Sequence, residues 1–375
     1  MRILLVLLGI LSVAAAKAQL DSIWVVDRYR YYHVYLPSQY DGETALPMVI
    51  GLHGGFGSAL QFPDQSLMSE SAEENGFIAL YPDGLGYLLA PTLHYWNAGT
   101  CCAYPFQQGI DDVGFIDVLI DSVAALYAVD LNRVYATGIS NGAMMSYRLA
   151  CELSHRIAAI APVEGSLMVH PCNPDNPVPV VHFHSYLDSN IPYQGGVGDG
   201  ASDHYNPPMD SVMNVFSEIA HCEHIADTIY DGFDYTHVIW DSCDCGYRMD
   251  YYICTDGGHS WPGGEGTIIG DDPSELMDAN ALMWAFFQEF SLDCTPTGTP
   301  GIQEVDQSIF PNPSSGELTL SGIGTPGEIR IFSASGSEVF RHSPNGEPVH
   351  LDLSHLPNGL YFIHYGTGGK RWIKM

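Results

Sequence analysis

The sequence predicts an α/β domain, a mostly parallel central sheet with helices on both faces, followed by a small all-β sandwich. Three observations carry this. Apolar runs at Met48–Leu52, Phe77–Tyr81, Arg133–Thr137, Ile157–Val163 and Val178–His184 alternate with helix-forming stretches, the order that gives parallel strands joined by covering helices. The run Val134-Tyr135-Ala136-Thr137-Gly138-Ile139-Ser140-Asn141-Gly142-Ala143-Met144-Met145 reads as strand, tight turn and helix. Near the end, Cys294-Thr295-Pro296-Thr297-Gly298-Thr299-Pro300-Gly301 is a linker by composition, and short β-rich segments follow it.

In chain order, Met1-Arg2, the apolar Ile3–Leu11 and Ala16-Lys17-Ala18 form a secretory leader over residues 1–18. Its apolar core is too short to span a bilayer, so a membrane anchor is the weaker alternative and no integral membrane segment is expected. The α/β domain is assigned to residues 19–292, the linker to 293–308 and the sandwich to 309–375. Ile23–Val26 and Arg28–Leu36 are rich in β-branched and aromatic residues and give the sheet an antiparallel entry. Met48–Leu52 is a buried strand running into the sharp loop His53-Gly54-Gly55-Phe56-Gly57, and Phe77–Tyr81 is closed by Pro82-Asp83-Gly84. Val113–Val129 has the apolar spacing of an amphipathic helix, and Ala143–Leu153 that of a packed one. Tyr247–Cys254 is a later strand leading into Thr255-Asp256-Gly257-Gly258-His259-Ser260-Trp261-Pro262-Gly263-Gly264.

Charge and cysteine usage bound the partners. Residues 19–292 hold 36 acidic side chains, six arginines and no lysine, whereas 293–375 hold eight acids and five bases. So acidic a surface disfavours nucleic acid and anionic lipid. All nine cysteines lie outside the leader, and in an exported chain they imply disulfides. Zinc is the rival, but Cys243-x-Cys245 and the adjacent Cys101-Cys102 lack paired C-x-x-C spacing. The odd total leaves at least one thiol unpaired or paired between chains, and Cys222 is assigned to Cys243 or Cys245.

Ser140 lies in a G-x-S-x-G turn, where Gly138 and Gly142 let strand and helix approach closely. In open sheets of this kind ligands bind beyond the carboxyl ends of the strands, so the partners of Ser140 are sought in the loops there. Asp188, in the loop after Val178–His184, is the candidate acid; Asp199 and Asp203 lie further along it as turn residues. His259, just past a strand between Gly257-Gly258 and Trp261, is the candidate base, ahead of His204, His221 and His224. A serine hydroxyl must lose its proton to such a base as it attacks, and the acid fixes the base's tautomer. The oxyanion that then develops needs waiting backbone N–H groups, assigned to Asn141 and to Gly55 of the His53-Gly54-Gly55 loop. No metal or other cofactor is called for.

His53-Gly54-Gly55, Tyr81-Pro82-Asp83-Gly84, Asp111-Asp112-Val113-Gly114-Phe115, Gly138-Ile139-Ser140-Asn141-Gly142 and Gly257-Gly258-His259-Ser260-Trp261-Pro262-Gly263 occur in one order. Together they resemble the polyhydroxybutyrate depolymerase and feruloyl esterase family of α/β-hydrolases, over about residues 25 to 290. The resemblance implies a secreted serine esterase that acts on polymer-borne esters without a cofactor, with Ser140, Asp188 and His259 as its triad. It also implies Trp261 as an aromatic wall for substrate; Trp96, in the irregular stretch before Cys101, is the second such candidate. The turn before the acid departs from the family's His-Gly-Thr-like pattern, reading His184-Ser185-Tyr186-Leu187-Asp188. Feruloyl, acetyl-xylan and polyhydroxyalkanoate esters stay open, because specificity resides in loops such as 85–108 and 189–209. A peptidase of the same fold and a binding module with a dead site are the alternatives.

In the C-terminal segment, Phe310-Pro311-Asn312-Pro313, Asn358-Gly359-Leu360-Tyr361 and the basic end Lys370-Arg371-Trp372-Ile373-Lys374 resemble the C-terminal sorting domain of the type IX secretion route. That resemblance implies the secretion machinery as a partner. A polymer-binding module is the alternative, and exposed aromatics in a row would mark it.

Overall fold

The structure, a computed structural model, describes residues 20–87, 93–199, 204–267 and 270–293, then 308–310, 314–321, 329–333, 338–343, 349–365 and 368–374. The expected leader, Asp203, Cys294 and most of the expected linker lie outside the described residues. The chain divides between Thr297 and Gly298 into two compact units.

Ten strands build the sheet of the first unit: β1 (Asp21–Val25), β2 (Arg28–Tyr35), β3 (Leu46–Leu52), β4 (Ile78–Pro82), β7 (Val129–Ile139), β8 (Ala159–Val163), β9 (Val180–Ser185), β10 (His224–Asp231), β11 (Tyr235–Asp241) and β12 (Met249–Cys254). Between them β5 (Leu85–Gly86) and β6 (His94–Tyr95) pair as a separate ladder. The order across the sheet is β1-β2-β4-β3-β7-β8-β9-β12-β11-β10. From β4 through β12 the neighbours are parallel, and antiparallel strands flank that block on both sides. This is the α/β-hydrolase arrangement, with an antiparallel hairpin extending one edge.

The physical reason is legible in β4, β8 and β9, where every residue is buried. Strands covered on both faces need continuous apolar runs rather than alternation. The cover comes from α1 (Phe62–Ser66), α2 (Met68–Asn75), α3 (Ala103–Gln107), α4 (Asp112–Ala124), α5 (Asn141–Glu152), α6 (Met209–Ile219) and α7 (Ala279–Phe287). The helix expected over Val113–Val129 stops at Ala124 because Val129 is taken into the sheet, paired with Leu46. The hairpin β10–β11 carries two register shifts and polar alternation, which hid it from pattern reading.

Cysteine pairs join Cys101 to Cys102, Cys151 to Cys172 and Cys222 to Cys243. Cys254 is free and buried. No helix among the described residues is long and apolar enough to cross a membrane.

The second unit has two sheets, β13 (Ser308–Phe310), β14 (Glu317–Ser321) and β17 (Val349–Asp352) in one, β16 (Glu338–His342), β15 (Ile329–Ser333), β18 (Gly359–Tyr365) and β19 (Gly368–Lys374) in the other. Leu318, Leu320, Ile329, Ile331, Ile363 and Trp372 fill its core. The basic end is itself a strand: Trp372 is buried and donates to Ser314 Oγ (3.0 Å), and Lys374 Nζ donates to the Ser354 carbonyl (2.7 Å). Trp372 is therefore no surface aromatic for a polymer.

Candidate active site

Five loops leave the carboxyl ends of β3, β7, β8, β9 and β12 on the same side of the parallel block, as parallel strands require. The central one is the turn from β7 into α5. Ser140 has φ +57° and ψ −120°, a conformation unfavourable for a residue with a side chain. Its N–H donates to the Val163 carbonyl (2.9 Å) and its carbonyl accepts from Met144 N (3.0 Å), which hold it there. A Cβ on Gly142 would fall onto the Leu52 carbonyl oxygen, and one on Gly138 would approach it to 2.5 Å. The β3 loop can lie against the turn only because both positions are glycine.

That loop is fixed by His53, which is wholly buried. Its Nε2 accepts from Gly84 N (3.0 Å), so Nδ1 carries the proton toward the Gly54 carbonyl (2.7 Å). Burial pushes the His53 imidazole down to about 4, despite the opposing pull of Asp83. Gly55 follows at the wall of a cavity that also receives Asn141, whose backbone N–H begins α5.

Asp188 is 4% exposed. Its Oδ1 accepts from Asn190 N and Ile191 N (both 2.8 Å), which set the carboxylate plane. Its Oδ2 accepts from His259 Nδ1 at 2.9 Å. Burial opposes the charge on Asp188, yet contacts with His259, His184 and Glu164 hold the group well below the usual carboxylate range. His259 is fastened from behind by Asp271 Oδ2, which accepts from its backbone N–H (2.7 Å). Asp271 had no motif to mark it.

Ser140, Asn141, Gly55 and His259 all line one cavity of about 1680 Å³, larger than the ~300–1,000 Å³ of ordinary small-molecule pockets. No hydrogen bond joins Ser140 to His259; such contacts are often long before substrate binds and tighten in the complex. One wall is apolar, with Phe56 edge-on to Tyr95 (5.0 Å), Phe106, Met144 and Ile191. The lining also includes the acids Asp64, Asp199, Glu265 and Asp271. His204 and Asp199 line the cavity as well, while the carboxylate bonded to His259 Nδ1 is that of Asp188.

Two expected substrate contacts are corrected. Trp96 and Trp261 are wholly buried and neither lines the cavity. Trp96 is a brace: its backbone N–H donates to Asn141 Oδ1 (2.7 Å), its carbonyl accepts from Asn141 Nδ2 (3.1 Å), and its indole donates to the His53 carbonyl (3.0 Å). Trp261 packs edge-on against Phe62 (5.5 Å) in the core. The aromatics at the cavity wall are Phe56, Phe106 and Tyr95, the last with a ring that a Cβ on Gly55 would approach to 3.1 Å.

Residues 30–171 match the family described as esterase PHB depolymerase, and residues 308–375 match the secretion system C-terminal sorting domain. Among curated proteins, the chain is 33% identical over 169 residues to feruloyl esterase B of Piromyces equi, covering 44% of this chain and 30% of that one. It is 25% identical over 269 residues to a bifunctional acetylxylan esterase/xylanase of Neocallimastix patriciarum, covering 70% and 34%. With feruloyl esterase C of Emericella nidulans the identity is 26% over 219 residues, covering 54% and 75%. The chain thus spans about a third of the length of the first two relatives.

Proposed function

We propose an exported serine hydrolase that cleaves carboxylic esters borne by polymers or their fragments, a reading supported by the match of residues 30–171 to the esterase PHB depolymerase family and of residues 308–375 to the secretion system C-terminal sorting domain. Residues 19–292 would carry catalysis and residues 309–375 engagement of the secretion machinery. The observation that carries the reading is the 2.9 Å contact of buried Asp188 with His259, a histidine that lines the same cavity as Ser140 at its strained turn.

The chemistry runs through these groups. His259 Nδ1 donates to Asp188, so Nε2 is free to accept the Ser140 proton as Oγ attacks the ester carbonyl. The imidazolium formed is stabilised by the carboxylate, and the oxyanion by the Asn141 and Gly55 N–H groups. His259 then returns the proton to the departing alkoxide, leaving an acyl-serine, and water repeats the sequence to release the acid. The apolar wall of Phe56, Tyr95 and Phe106 favours a bulky planar acyl group such as a feruloyl residue over acetate, and the size of the cavity favours a polymer-borne alcohol.

The test is Ser140→Ala. It should abolish hydrolysis of p-nitrophenyl esters and labelling by a fluorophosphonate, with the thermal unfolding transition unmoved; retained turnover would assign the nucleophile elsewhere. In a panel of methyl ferulate, acetylated xylan and a hydroxybutyrate oligomer, the highest kcat/KM should fall on the ferulate.

A further inference from the structure

A second carboxyl group lies behind the Asp188–His259 pair. Glu164 follows β8, beside β9, and is wholly buried. Its backbone is held at φ +50°, with its N–H donating to the Phe183 carbonyl (2.9 Å), a conformation that side-chain-bearing residues keep only where the surroundings impose it. Carboxylate oxygens of Glu164 and Asp188 and a ring nitrogen of His184 lie within 4.8 Å of one another. His184 Nε2 is 3.3 Å from Glu164 Oε2 and 3.4 Å from Asp188 Oδ2. No donor meets full hydrogen-bond geometry at either Glu164 oxygen; the Ser185 backbone faces the group and favours its charged form, an effect smaller than those of burial and of Asp188.

The neighbouring histidines do not supply a balancing cation. His184 Nε2 faces the Ile191 carbonyl at 2.7 Å and must carry a proton there, because a carbonyl only accepts. Its Nδ1 is 2.9 Å from His182 Nε2, and His182 Nδ1 is 2.8 Å from the Tyr147 hydroxyl. Were the chain to run outward from an imidazolium, the buried Tyr147 O–H would lose its partner, which is costly. Run inward, Tyr147 donates to His182, His182 donates to His184, and both rings are neutral. Two carboxylates then face each other without a counter-ion inside the protein, an arrangement that one proton resolves.

We infer that Glu164 is a neutral carboxylic acid whose O–H donates to Asp188, a positioning residue that leaves the buried pair one negative charge to set against His259. The inference rests on the triad reading above. Burial and then Asp188 both push the Glu164 carboxyl well above its usual range, while Asp188 is held below its own. Among the described residues, the groups facing Glu164 are Asp188 and His184 from β9 and its loop, the Cys254 thiol and Tyr251 hydroxyl from β12, and the Ser185 backbone; none of these is a lysine or arginine.

The experiment uses the full chain. Infrared difference spectra at neutral pH between the wild type and Glu164→Gln should show a protonated-carboxyl C=O band in the wild type only; its absence overturns the inference. Glu164→Ala should lower kcat about tenfold with KM little changed, and Glu164→Gln should restore most of it, since the amide still donates. Unchanged kcat in a folded Glu164→Ala removes the positioning role, and if that variant fails to fold, the spectra and the Gln variant decide. The acid limb of kcat/KM should stay in place in Glu164→Gln; a fall of about one unit or more would mean that a buried negative charge had been removed, and Glu164 would then be a carboxylate. Absence of fluorophosphonate labelling in the wild type would strike the triad reading and leave the infrared result standing.

Discussion

Single side chains at this site do work that their neighbours in sequence do not announce. Asp188 presents one oxygen to two backbone N–H groups and the other to His259. Asp188→Asn keeps the shape and allows the wrong imidazole tautomer, so acylation of a p-nitrophenyl ester should slow by ~10⁴-fold with KM nearly unchanged. His53 acts on stability instead. Its native value of about 4 lies below the ordinary 6.5, so between these values the unfolded chain binds a proton that the native chain refuses. The contribution is complete above pH 6.5 and is lost as pH falls toward 4, by ~3 kcal/mol in all. His182, also kept neutral by burial, adds in the same direction. Unfolding free energies measured by denaturant from pH 7 to pH 4.5 should fall with acid, and His53→Gln should flatten that slope.

At the scale of elements, the turn between β7 and α5 was legible because its requirements are local: a strand, two glycines that admit a neighbouring backbone, and a helix. Gly142→Ala would drive a methyl into the Leu52 and His53 carbonyls, which belong to backbone and cannot rotate away. A loss of about 2 kcal/mol or more in thermal stability, together with a fall in kcat from displacement of the Gly55 loop, is expected; a variant matching the wild type in both would refute the close packing. Loops after strands could also be located, which brought Asp188 and His259 into view. Which way a side chain faces could not. Trp261 looked like a substrate wall because it neighbours His259, yet Phe62 draws it into the core. Trp96 turns inward, where it bridges Asn141 and His53. Glu164 carries no local motif, since its partners arrive from β9 and the loop after it, about twenty residues away. The β10–β11 hairpin was hidden by its bulges, and the true end of α4 by a pairing with β3 that no helical period contains.

Across the whole molecule the dominant quantity is a formal net charge of −31, and four acids of the cavity share its sign. Anionic esters should approach slowly, and salt should relieve this. Raising ionic strength from ~0.02 to ~0.2 M shortens the screening length to under ~10 Å, so kcat/KM for a uronate-bearing ferulate should rise several-fold while that for methyl ferulate stays level. Equal responses would remove charge as a selector. Near residue 300 the composition changes to Pro, Gly and Thr, and the chain divides into two compact units between Thr297 and Gly298. The helix that begins at Ser140 is tied at its other end by the Cys151–Cys172 bond, which closes a short loop worth ~3 kcal/mol in the oxidised chain. Material made in a reducing cytoplasm should therefore emerge correctly folded but short-lived on warming, and should toughen when air or an oxidising compartment restores the clasp. The protein reaches its full durability only after it has left the cell that made it.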